Sequence, residues 1–412
     1  MTKVSEGTKT EGPSWNVPWS ADEGGARAAT LFHATFGGTP QAVVSAPGRI
    51  NVIGEHTDYM DGLALPTTIP HRTFAAVAPR SDHVVRVISA HGTNTQGPDA
   101  VVEFSLDGVA PGVVTGWAAY VAGALWALSA RGFDVRGLDL AIDSCLPIGK
   151  GLGSSAALEA AVGLGANEVL GLGLDSPNGL AQLAEACVDG EQRFVGVPAG
   201  ALDPWAALLT VPGEALMLDF SSRPPRARRQ PLYFPEYGLA ILVIDTGTTR
   251  VNTDGRYASR VEECRAACEA LGVTSLREVA DGPYALSRAD TIADRTLRGR
   301  ARHVITEIQR VRLVASELSG TAPAHERFVT IGKAMYRSHA SLDVDFEVSG
   351  PELNAAVDAA FAAGALGARL VGGGFNGAAI ALVRRADAER TAERIAESLT
   401  SAEFAEPSFL LV

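Results

Sequence analysis

The sequence predicts an α+β protein made of two domains. Its 412 residues exceed what one hydrophobic core usually organises. Strand-like and helix-like patterns mix along the chain without the regular βαβ alternation of a doubly wound sheet. A Pro/Arg-rich stretch, S-S-R-P-P-R-A-R-R-Q-P at 221–231, reads as a linker. It divides an N-terminal domain, 1–225, from a C-terminal domain, 226–412.

The elements follow in order. Residues 1–20 are polar with Gly and Pro, and are expected to form a loose tail. A helix is expected over 26–36. Strand signals follow at 42–45, 49–53, 73–78, 84–89 and 138–142. Alanine-rich patterns at 155–170 and 176–193 predict two long helices. Beyond the linker come a buried strand at 239–244, several helices, and a last strand pair within 368–383. No internal repeat is visible.

Bulk properties narrow the function. Apolar residues make up 46% and charged residues 20%, as in a soluble globular enzyme. A net charge of −12 argues against nucleic acid and anionic lipid as partners. Cys145, Cys187, Cys264 and Cys268 are too few and scattered for a disulfide framework. Cys264 and Cys268 lie one helical turn apart, but no second pair completes a zinc site. The start M-T-K-V-S-E-G-T-K-T-E-G lacks an apolar stretch, and the longest apolar run, 118–128, is too short to span a bilayer. A reduced, cytoplasmic enzyme is expected.

Five places carry candidate chemistry. The string P-G-R-I-N-V-I-G-E-H-T-D-Y ends at Tyr59. Ile50 and Val52 alternate with Arg49 and Asn51 as in a half-buried strand, and Gly54 breaks it. Glu55, His56 and Asp58 then stand together, a set of hydrogen-bonding groups suited to a polyhydroxylated ligand. The bland alternative is a polar surface turn. Next, P-I-G-K-G-L-G-S-S-A-A-L-E at 147–159 runs from alternating glycines into a helix. It aims backbone N–H groups and a positive helix end at an anion. It matches neither the Walker A nor the Rossmann spacing, and a flexible loop with Ser155 as helix cap is the plain alternative.

Glu191 is third. On the helix expected from 176 it falls about 20° from Leu180, inside the apolar stripe. A buried carboxylate needs a counter-charge or a cation, and Mg²⁺ beside a phosphate loop is one answer. A salt bridge to an arginine, or fraying of the helix before Glu191, is the other. Fourth, Asp203 before Pro204 reads either as an N-cap with Pro at N1 or as a catalytic carboxylate at a helix end. Last, L-V-G-G-G-F-N-G-A-A-I-A-L-V at 370–383 has the letters of G-x-G-x-x-G but too little chain after it for a dinucleotide domain. A glycine turn that admits close approach of another backbone or a ligand fits better.

In this order the segments resemble the three signature motifs of the GHMP kinases, and the first resembles the galactokinase signature within that family. The resemblance runs from about 42 to 383 and includes R-A-R-H-V-I-T-E near Arg300 and S-H-A-S-L near His339. It implies a two-domain GHMP architecture with the active site in the interdomain cleft. The implied reaction moves the γ-phosphate of ATP to the anomeric hydroxyl of galactose. Asp203 would be the catalytic aspartate, with Arg49 beside it and the transferred phosphate. Glu55, His56, Asp58, Gly200 and Tyr257 would hold the sugar. Tyr257 also fits a plain core stripe with Val261, Cys264 and Cys268. Gly149, Lys150, Gly151, Leu152, Gly153, Ser154 and Ser155 would wrap the ATP phosphates. Ser155, rather than Ser154, and Glu191 would hold Mg²⁺. Partners would be the sugar and ATP, with the chain a monomer or weak homo-oligomer.

Three departures stand out. Gly153 replaces the first serine of the loop, Leu202-Asp203-Pro204 replaces Met-Asp-Gln, and Asn376 replaces a glycine. A non-catalytic sugar/ATP sensor is one alternative. A kinase for N-acetylgalactosamine, arabinose or mevalonate is another, with mevalonate disfavoured by the Glu-His-x-Asp string.

Overall fold

The computed structural model describes residues 12–91, 101–197, 200–248, 255–375 and 377–412. Among these, the chain forms two sheets with helices against them, and it is α+β as its pattern indicates. The first sheet has eight strands. In spatial order run Leu63–Ala64, Glu214–Asp219, Pro66–Pro79, Leu138–Ser144, Val84–Ser89 and Val102–Ser105, with Ala42–Asn51 on Pro66–Pro79 and Arg226–Pro231 on Glu214–Asp219. Only Val84–Ser89 and Leu138–Ser144 pair in parallel there.

The second half of the long strand Pro66–Pro79 is covered on both faces, which explains its apolar run at 74–79. Ala75 and Val77 join a core with Leu125, Ala160 and Ala161. These come from helices Ala118–Ala130 and Ser154–Leu170. Phe74 and Ala76, one residue out of phase, pack on Ala28 and Phe32 of helix Ala21–Phe36.

That helix starts five residues before the expected 26. Ser20 is its N-cap and accepts from the Glu23 N–H, so Ser20-Ala-Asp-Glu has the spacing of a capping box. The expected loose tail is also corrected in part. Ser14–Trp15 forms a parallel bridge with the last strand, Ser408–Leu411, and Trp15 packs on Phe409 at 5.7 Å between ring centres. Residues 1–11 lie outside the described residues.

The second sheet has five strands in the order Ser14–Trp15, Ser408–Leu411, Leu239–Asp245, Ala378–Arg384 and Gly367–Val371. The linker reading needs correction, because Arg226–Pro231 is an antiparallel edge strand of the first sheet. Its exposed arginines blunt that edge. Along the chain, the change of sheet falls between Pro231 and Leu239, one strand past the expected boundary.

One further reading changes at the site. The expected strands 42–45 and 49–53 are one strand, Ala42–Asn51, with a register shift between Pro47 and Arg49. Ile50, Val52, Ile53 and Leu65 belong to one continuous core with Ile244, Val304, Ile308 and Val311, on strand Leu239–Asp245 and helix Arg295–Ser319. The end of the strand is therefore gripped by the C-terminal half, and this holds the turn after it. The four cysteines are free thiols, and no helix among the described residues is long and apolar enough to cross a membrane.

Candidate active site

Strand Ala42–Asn51 delivers Arg49 to the floor of a cleft. The guanidinium side chain is 7% exposed and grips the Asp203 carboxylate with two bonds. Nε donates to Oδ1 at 2.7 Å and Nη2 to Oδ2 at 2.6 Å. Its third nitrogen, Nη1, donates to the Gly151 carbonyl at 2.5 Å. Such a bidentate pair fixes both direction and charge. The backbone N–H of Arg49 also donates to the Leu152 carbonyl at 2.9 Å, so strand and loop are joined twice.

Asp203 is not an N-cap. Helix Leu202–Leu209 is capped by Ala201, and Asp203 lies in its first turn. Pro204 is tolerated there, because first-turn N–H groups have no acceptor within the helix. The Leu-Asp-Pro departure therefore leaves Asp203 in the cleft, facing Arg49.

The glycine loop lies on the other side of Arg49. Gly149, Gly151 and Gly153 have φ of 74°, 76° and 77°, a left-handed backbone that residues with a Cβ avoid. Helix Ser154–Leu170 starts directly after Gly153, which is its N-cap. Ser155 is thus not the cap expected in the plain reading, and it lines the cleft instead. A Cβ on Gly372 would stand 2.9 Å from the Gly151 carbonyl, and one on Gly377 3.1 Å from that of Lys150. The glycines of the 370–383 segment therefore allow its backbone to approach the 149–153 loop closely. Asn376 lies outside the described residues. Leu152 is buried in the shared core. Lys150 turns away from the cleft, with Nζ 3.1 Å from Asp245 Oδ1 and 3.1 Å from the Thr248 carbonyl.

Glu55, His56, Asp58, Gly200 and Tyr257 meet on the far side of Arg49 and Asp203, in the same cleft. Glu55 is buried and accepts from the Gly372 N–H at 2.8 Å. Burial raises its pKa, against the pull of Arg369 and Arg49. His56 sits at φ 58°. Its Nε2 is 3.2 Å from the Gly373 carbonyl and its Nδ1 2.9 Å from the Tyr59 hydroxyl. A carbonyl only accepts, so Nε2 carries a hydrogen, and in the neutral ring Nδ1 accepts from the Tyr59 hydroxyl. The Tyr257 ring lies tilted, 5.3 Å from the His56 ring, and lines the cleft at the head of the helical stripe whose Val261, Cys264 and Cys268 are in the core. A Cβ at Gly200 would stand 1.4 Å from Asp58 Oδ2, so this position must be glycine for Asp58 to enter. Asp58 is pushed up to about 7, first by burial and then by the charges of Asp203 and Glu55.

Glu191 is buried and lines the cleft with Ser155. The helix does not fray before it. Pro177–Asp189 continues into a π-helical turn, Gly190–Val195, a wider ring often found at functional sites. Behind it, fully buried Glu159 has neither oxygen hydrogen-bonded. Burial, with Glu191 and Asp203 nearby, pushes its pKa well up. Among the described residues no group of three or more His, Cys, Asp or Glu side chains is arranged to hold a metal. The Ser155 hydroxyl and Glu191 carboxylate supply two hard oxygen donors, which suits a cation shared with phosphate oxygens. The sequence reading missed Val197, Leu202, Gly372 and Gly373 as cleft walls. The two glycines had a signal in their place within the last glycine cluster, whereas the two apolar residues had none.

The raised Asp58 has a stability consequence. Its ordinary pKa is 3.8 and its folded value about 7, so the folded state holds the proton longer. Ionising Asp58 then costs stability progressively as pH rises from about 4 to 7, and fully above 7. Asp58→Asn should therefore gain in melting temperature relative to the parent between pH 5 and pH 8. A constant difference across that range would show that Asp58 is not raised.

Family models match along the chain. The galactokinase galactose-binding signature covers residues 30–79, the GHMP kinases N terminal domain 119–210, and the GHMP kinases C terminal 321–401. The chain is 40% identical over 375 residues to a galactokinase of Streptomyces coelicolor, covering 90% of this chain and 92% of that one. It is similar to the crystal structure of Lactococcus lactis galactokinase complexed with galactose, at TM-score 0.83 and 30% identity, over 94% of this chain and 97% of the other. The Methanococcus jannaschii mevalonate kinase shares the fold at TM-score 0.62 and 16% identity, over 90% and 98% of the two chains. The chain belongs to the galactokinase family of the GHMP kinases.

Proposed function

We propose that this protein transfers the γ-phosphate of ATP to the anomeric hydroxyl of α-D-galactose, giving α-D-galactose 1-phosphate. The observation that carries this reading is the Arg49–Asp203 pair, set between a carboxylate-rich pocket and a helix-capping glycine loop. Glu55, His56, Asp58 and Tyr257 hold the sugar hydroxyls, and Gly200 makes room for Asp58. Asp203 faces the anomeric hydroxyl, orients it and accepts its proton. Arg49 holds that carboxylate in place with its two hydrogen bonds and stands next to the transferred phosphate. Backbone N–H groups of the 149–155 loop and the start of helix Ser154–Leu170 bind the phosphates. Lys150 contributes through its backbone, since its ammonium is engaged with Asp245. Ser155 and Glu191 would hold Mg²⁺, which supplies charge neutralisation in phosphoryl transfer.

Three outcomes check this reading. With galactose and MgATP, phosphorus NMR should show the α-anomeric phosphate, and glucose should react far more slowly, since inverting one hydroxyl strands buried polar partners. A phosphate on the terminal carbon, or none, overturns the assignment. Asp203→Asn should retain ATP and galactose binding and lose at least about 10² in kcat, the scale of general-base help. Its melting temperature should fall, because asparagine keeps at most one of the two Arg49 hydrogen bonds and leaves that nearly buried guanidinium without its counter-charge. Near-normal turnover would remove Asp203 from the chemistry. Glu191→Gln should keep galactose affinity and raise the Mg²⁺ concentration for half-maximal rate, whereas an unshifted Mg²⁺ titration would make Glu191 a structural residue.

A further inference from the structure

We infer that a buried charge pair in the C-terminal half, Glu307 and Arg369, positions the sugar-contacting turn 51–58 and so sets affinity for the sugar. Neither residue lines the cleft, and both are fully buried. Glu307 lies on helix Arg295–Ser319 and Arg369 on strand Gly367–Val371.

The turn is held by its backbone, and the holding groups come from across the domain interface. The Gly54 N–H donates to Glu307 Oε1 at 2.9 Å. Arg369 Nη1 donates to the Asn51 carbonyl at 2.9 Å. His303 Nε2 meets the Glu55 carbonyl at 3.1 Å. Three peptide groups within five residues are thus fixed by side chains about 250 to 320 positions away. Gly54 is itself constrained. Its φ is 107°, and a Cβ there would stand 2.5 Å from the Leu63 carbonyl.

The pair is also braced on its far side. Ser338 donates to Glu307 Oε1 at 2.8 Å, and Arg369 Nε donates to the Ser338 hydroxyl at 3.1 Å. Arg310 donates to Glu307 Oε2 at 2.6 Å. A hydrogen-bonded carboxylate between two arginines cannot move without leaving a buried charge unpaired. Arg369 Nη1 further stands 3.6 Å from Glu55 Oε1. One guanidinium therefore sets the turn's path and faces the carboxylate the turn presents. Misplacing a substrate-contacting group by about 1 Å can cost up to about 10² in rate, which is the lever such a brace controls.

This inference rests on the proposed galactokinase activity, and the experiment separates the two. Arg369→Lys keeps the charge but cannot bridge Asn51, Ser338 and Glu55 together. Ser338→Ala removes only the shared hydroxyl and is the milder change, useful where Arg369→Lys does not fold. The measurements are KM for galactose, KM for ATP, kcat, and galactose affinity by calorimetry without ATP. The expected result is galactose KM and dissociation constant up by at least about tenfold in Arg369→Lys, and by a smaller factor in Ser338→Ala, with KM for ATP within about twofold. Folded variants with unchanged galactose KM, or with both KM values raised equally, overturn the inference alone. A parent protein that does not phosphorylate galactose overturns the proposed function and this inference with it.

Discussion

Arg49 is where three distant segments meet. Its guanidinium bonds the Asp203 carboxylate and the Gly151 carbonyl, and its own N–H bonds the Leu152 carbonyl. The constraint behind this arrangement is electrostatic. Glu55, Asp58, Glu191 and Asp203 all line one cleft, and burying carboxylates together is costly unless cations and N–H groups answer them. Arg49 answers Asp203, and the Gly372 N–H and Arg369 answer Glu55. Asp58 is buried beside the charges of Asp203 and Glu55, and its raised pKa registers that. A cleft lined by carboxylates favours ligands that bring hydroxyl donors and cations.

Close approach of backbones is the second requirement. The glycine loop at 149–153 and the last glycine cluster touch main chain to main chain at Gly151 and Gly372. This contact joins a loop of the first half to the strand turn of the second, and the core around Ile50, Val52 and Ile53 runs through the same junction. The cleft is therefore a seam between two halves that share one apolar interior, and its geometry is shared between them. Some of the local backbone is irregular, with His56 at φ 58° and a π-helical turn carrying Glu191. Such departures persist where surrounding packing over-determines them, and they cluster at functional sites.

Much of the site was legible in the chain because its signals are local. The alternation at Ile50 and Val52 marked a strand end, the glycines at 149, 151 and 153 marked a backbone cradle, and the facing of Glu191 marked a carboxylate out of place. Each needs only a few neighbouring residues to be read. The plain alternatives for Ser155 and Asp203 as helix caps were equally local. They failed because caps depend on where the helix begins, and Gly153 and Ala201 take those places.

By itself the sequence determined the motifs, the α+β class and the residue types gathered for binding and transfer, since turn chemistry and apolar periodicity act over a few residues. Tertiary structure alone decided which of them face one another. Ser14–Trp15 became ordered by pairing with a strand nearly 400 residues later. Arg226–Pro231 became a strand because Glu214–Asp219 offered it a ladder. Lys150 turned from the cleft because Asp245 captured its ammonium. Glu307 and Arg369 hold a turn whose own letters do not name them. In each case a partner remote in sequence satisfied a hydrogen bond or a charge, and such partners are chosen by the packing of the whole chain.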